Sequence, residues 1–118
     1  MKLRISNQSL RIRINQEDLA LLATSGKLEE QFGNDTIGTF GYALVSNEAE
    51  DIQIKVESRN ITVYLPHEYV TEWNDTDRVT FEGTVSGLRV LLEKDFQCLT
   101  ARAHEDETKN FRNPKKEH

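Results

Sequence analysis

The chain has a single cysteine, Cys98, so no disulfide can form within it. One thiol and no secretory pattern favour a reducing, cytoplasmic setting over an oxidising one. Only two prolines and six glycines occur among 118 residues, which excludes collagen-like, linker-like and low-complexity classes. No apolar run approaches the roughly 18 residues that a membrane-crossing helix needs, so no membrane association is expected. Met1-Lys2-Leu3-Arg4 begins an alternating pattern at once and has no apolar leader core. Glycine-rich phosphate loops, nucleophile elbows, zinc spacings and calcium loops are all missing, so no catalytic motif, cofactor or metal is expected.

What is present fits one folded domain. Hydrophobic residues make up 36% and charged residues 30%, with a formal net charge of −5. A domain of this length buries roughly two-thirds of its unfolded surface and needs no staple. The acidic balance argues against nucleic acid as a partner, since such binders are basic overall. Local basic patches are a separate matter.

The first fourteen residues alternate with period two, which is the mark of strands with one face on a core. Leu3 and Ile5 share one face, and Leu10, Ile12 and Ile14 share one face of the next run. Lys2, Arg4, Arg11 and Arg13 take the opposite side. A helix is expected next, capped by Asn15, with Gln16, Glu17 and Asp18 in its first turn and Gly26 as its stop. Strands are expected from Lys27 to Gly33 and from Thr39 to Ser46. A hairpin over residues 51–65 follows, with Val56 facing Ile61, Ile54 facing Val63 and Ile52 facing Leu65. Pro66 suits the first position of a short helix through Trp73. Two further strands are marked by Val79 and Phe81, then by Leu88, Val90 and Leu92. Leu91 breaks the alternation of the last one, which suggests a strand more buried than its neighbours.

Short local connections favour antiparallel pairing. The expected fold is α+β: a mainly antiparallel, strongly bent sheet or half-open barrel with two short helices. Residues 1–107 are expected to form the domain and residues 108–118 a polar C-terminal tail.

Two places carry polar chemistry. A turn at Asn7-Gln8 sets Arg4 directly opposite Arg11 and Lys2 opposite Arg13. Like charges in cross-strand register repel by some tenths of a kcal/mol. Four cations on one sheet face therefore invite carboxylates, from Glu29, Glu57 or Glu93 of this chain or from an outside anion such as a phosphate ligand. The second place is Glu93, Lys94, Asp95, Cys98, Arg102, His104 and Glu105. Its spacing matches no metal-ligand pattern. An ion-pair network that ties this segment to the basic hairpin accounts for it better, and Cys98 beside Phe96 and Leu99 reads as a small core residue.

The opening "MKLRISNQSLRIRI" and the closing "RVLLEKDFQCLTARAHEDE…NFRNP" resemble a family of short bacterial proteins of unknown function. That resemblance implies a bacterial cytosolic protein and carries over no catalytic residue. A basic-lined half-barrel is also similar to the triphosphate tunnel enzymes, which open with Glu-x-Glu-x-Lys. Here Lys2 and Arg4 stand on that strand, so no metal-binding acids carry over. The functional expectation is a small non-enzymatic binding or interaction domain, with self-association through exposed sheet edges as one form. The alternative is a binder of an anionic small molecule, or a phosphohydrolase, that uses the basic face.

Overall fold

A computed structural model describes residues 1–96. In chain order the elements are β1 (Lys2–Ser6), β2 (Ser9–Ile14), α1 (Gln16–Ser25), β3 (Lys27–Asn34), β4 (Gly38–Asn47), β5 (Gln53–Glu57), β6 (Asn60–Pro66), α2 (His67–Asp75), β7 (Thr80–Val85) and β8 (Leu88–Lys94). The α+β class, the dominance of antiparallel pairing and the two short helices are as the sequence predicts. The strands, however, divide between two four-stranded sheets and do not close into a barrel. A terminal sheet has the order β1-β2-β8-β7, and a middle sheet the order β3-β4-β6-β5.

Each sheet is two hairpins joined along a parallel seam, β2 with β8 and β4 with β6. Local pairing cannot reveal such seams, because the partners are brought together by crossovers rather than turns. The seams hold the core. Ile12 lies beside Leu92 and Val63 beside Leu44, and all four are at most 1% exposed. One apolar cluster draws residues from both sheets and both helices.

The chain is internally duplicated. Its first half, β1-β2-α1-β3-β4, and its second, β5-β6-α2-β7-β8, have the same order of elements. Residues of β1, β2 and α1 match those of β5, β6 and α2 at a constant offset of 51, so that Lys2 answers to Gln53 and Ser9 to Asn60. Asn7 and Ser58, equivalent turn residues, have φ of 51° and 49°. Gln8 accepts a hydrogen bond from the Arg89 amide at 2.9 Å, and its equivalent Arg59 accepts one from the Gly41 amide at 2.7 Å. Each sheet thus takes one hairpin from each half.

The helices meet where the halves cross, with Leu22 of α1 and its equivalent Trp73 of α2 both buried. Asn15 and Asp18 form a reciprocal capping box at the start of α1, and Gly26 ends it at φ 77°. Pro66, expected as the first residue of α2, is its N-cap, and the helix runs past Trp73 to Asp75. Trp73 donates its indole N–H to the Val79 carbonyl at 3.2 Å and meets the Phe81 ring edge-on at 5.2 Å. Its replacement by alanine would cost about 3–5 kcal/mol.

The predicted hairpin registers hold: Arg4 faces Arg11, Lys2 faces Arg13, Ile54 faces Val63 and Val56 faces Ile61. Ile52 lies just before β5 rather than in it, buried against Gly83. β8 is an inner strand, which accounts for the half-buried Leu91.

Candidate functional site

Alternation decides which side chains reach the outer face of the terminal sheet. Leu10, Ile12 and Ile14 of β2 are buried inward, so Ser9, Arg11 and Arg13 point out. Register then sets two rows across the sheet. Lys2, Arg13, Glu93 and Thr80 make one, and Arg4, Arg11, Leu91 and Glu82 the next. Arg89, across from Ser9, adds a fifth cation to the same face.

Part of this charge is answered within the chain. Glu93 accepts from the Arg11 guanidinium at 2.8 Å, and Asp95 from the Lys2 ammonium at 2.8 Å. Arg89 pairs with Glu82. The hydrogen bond from Lys2 holds the Asp95 carboxyl below its ordinary pKa; partial burial opposes this, and the charges of Lys2, Arg13 and the N-terminal amine add to it. Among the described residues, neither Arg4 nor Arg13 has a carboxylate within ion-pair distance. Five cations therefore share this face with three carboxylates among the described residues, on a chain whose net charge is −5.

The second polar cluster divides. Glu93 and Asp95 serve the basic face, whereas Lys94 turns inward and donates to the Thr76 carbonyl at 3.0 Å. Cys98, Arg102, His104 and Glu105 lie outside the described residues, as does the expected boundary at residues 107 and 108. Glu29 and Glu57, expected as possible partners of the cations, are on the middle sheet and pair with Lys27 and Lys55 instead. No group of three metal-ligating side chains occurs among the described residues, and no helix there is long and apolar enough to cross a membrane.

Three concavities lie elsewhere. A groove of about 730 Å³ runs over the outer face of the middle sheet, floored by Gly41 and Ala43 and flanked by Glu29, Asn60 and Tyr64. The other two flank the helix pair. One, of about 490 Å³, lies between the end of α1 and a face of α2 that runs from His67 to Asp75; the other, of about 910 Å³, lies between the start of α1 and the end of α2. The first contains a hydrogen bond of 2.5 Å between Ser46 Oγ and His67 Nδ1. The second is lined by Lys94, Asp95 and Phe96. None of the three is lined by Lys2, Arg4, Arg11 or Arg13.

One further cluster escaped sequence reasoning. The Met1 amine lies 2.8 Å from Asp18 and 3.3 Å from Glu30, and Glu30 also accepts from the Tyr42 hydroxyl at 2.6 Å. It ties β1, α1, β3 and β4 together. The only sequence signal is the carboxylates Asp18 and Glu30 themselves, and those fall on positions that local patterning reads as surface.

The architecture is that of a duplicated, two-sheet α+β module with a basic outer face. Residues 1–115 match the family described as "Family of unknown function (DUF7009)". The chain belongs to that family. No curated protein matches it.

Proposed function

We propose that the chain is a non-enzymatic binding module whose working surface is the outer face of the terminal sheet. Its partner presents phosphate or carboxylate groups along an extended segment. The observation that carries this reading is the Arg4–Arg11 register: two guanidiniums stand opposite each other, and Glu93 answers only one. Arginine forks match phosphate and carboxylate oxygens in two-point fashion, so a bound anion relieves the repulsion and engages the donors that Glu93 does not reach. None of the three concavities described opens onto these cations, and an open sheet face suits a partner that lies across it better than a small molecule that needs enclosure. The duplication supports the reading. In the second half, Lys55 stands where Arg4 does, Thr62 where Arg11 does and Tyr64 where Arg13 does, so the cation cluster belongs to one face alone. A bacterial, cytosolic setting goes with this reading.

Thermal-shift measurements at low salt, with tripolyphosphate and with a short polyglutamate peptide, test it. The expected result is stabilisation of the wild type, loss of most of that shift in Arg4→Gln/Arg13→Gln, and retention in Lys55→Gln. No shift with either anion, or an equal shift in the double variant, would count against it. Weakening of the effect by salt is part of the expectation, because these side chains are solvent-accessible.

A further inference from the structure

The two halves meet along both sheets and through the helices. Two parallel strand pairs join them, β2 with β8 and β4 with β6. The covalent link between the halves is only the connector from β4 to β5, residues 48–52. Ile52 is buried against Gly83 of β7 and so belongs to the second half. Glu48, Glu50 and Asp51 are exposed.

We propose that a second copy of this chain can supply either half, giving an exchanged dimer. Residues 1–47 of each chain pair with residues 52–96 of the other. The strand registers, the helix contact and the buried core would be those already present in the single chain. Such exchange is a low-cost route to a dimer, because it creates no interface that the fold lacks.

The connector decides between the two states. Asn47 and Gln53 lie at the same end of the middle sheet with β6 between their strands. Gln53 is level with Val45, since both pair with Tyr64, so Asn47 lies two residues further along β4 and the two are about 12 Å apart. Five connecting residues cover that distance with slack. Without Glu48–Asp51, only Ile52 would join Asn47 to Gln53. Two Cα steps reach at most about 7.6 Å, so the chain could no longer fold back onto its own first half.

The test is the full chain with Glu48–Asp51 deleted, measured by size-exclusion chromatography with light scattering. The expected result is a folded species of twice the chain mass, returned to one chain mass when a flexible four-residue replacement restores the length. A folded monomer from the deleted chain would overturn the proposal. If the deletion prevents folding, a full-length chain with a protease site inserted between Glu48 and Ala49 decides. After cleavage the halves should co-elute with unchanged circular dichroism. Mixing isotope-labelled with unlabelled cleaved protein should then give hybrid pairs by native mass spectrometry. Separation of the cleaved halves, or pairs that never exchange, would overturn it.

Discussion

Arg4 and Arg11 stand directly opposite each other on β1 and β2, and Glu93 reaches only Arg11. This uncompensated register leads to the first prediction. Arg4→Glu sets an opposite charge across from Arg11 and should raise stability by about 0.2–1 kcal/mol at low ionic strength. Urea denaturation checks it through the midpoint at constant slope. The same substitution should reduce any stabilisation by anions.

The Met1 amine gives a pH dependence. Burial opposes its charge, but the hydrogen bond and charge of Asp18, with help from Glu30, raise its pKa above the ordinary 8.0. A raised folded value means that the amine's contribution is complete below pH 8.0 and fades as the pH climbs through the raised value. A chain acetylated at Met1 should be less stable than the free amine at pH 7. The gap should narrow as the pH climbs above 8.0 and through the raised value. Thermal midpoints of the two forms across this range check it, and parallel curves would contradict it.

Tyr42 should titrate later than an ordinary phenol. Its hydroxyl donates to Glu30, and that bond, with burial and the Glu30 charge behind it, pushes the phenol up to about 12 from an ordinary 10.0. Absorbance titration of the phenolate should show this late group. Glu30→Gln should bring it back toward 10.0. The matching stability contribution is present below pH 10.0 and is lost as the pH rises through about 12.

Turn chemistry offers a stabilising change. Ser86 holds φ at 49° just before Gly87 at φ 84°, a pair of left-handed residues between β7 and β8. Asparagine accepts that conformation better than serine, and Asn-Gly is the favoured pair for such a turn. Ser86→Asn should raise the stability. A shift in the thermal midpoint without change in the far-ultraviolet spectrum would confirm it.

The local features were legible because period-two alternation and capping are short-range. The Arg4–Arg11 register, the Asn15 cap, the Gly26 stop and the Ile54–Val63 pairing all follow from neighbours in sequence. The parallel seams do not. Ile12 meets Leu92 across most of the chain, and nothing near either residue marks the other. The duplication did leave a signal: Leu3, Ile5, Leu10, Ile12 and Ile14 recur as Ile54, Val56, Ile61, Val63 and Leu65 at the same offset. Because the recurring residues are apolar in kind rather than identical, they read as two ordinary hairpins. At the site, the four cations follow from alternation, whereas of the three carboxylates the sequence offers them only Glu93 answers, since Glu29 and Glu57 pair on the middle sheet. The role of Met1, Asp18 and Glu30 could not, because it needs a helix and two sheets brought to one point.

The most direct test of the anion-binding account is a titration of isotope-labelled protein with tripolyphosphate, followed by backbone amide chemical shifts at low salt. The account predicts saturable shifts concentrated on β1, β2 and the outer positions of β8, at Arg4, Arg11, Arg13 and Glu93, and their loss in Arg4→Gln/Arg13→Gln. Shifts confined to the middle sheet or the helix ends, or no saturable shift at all, would contradict it.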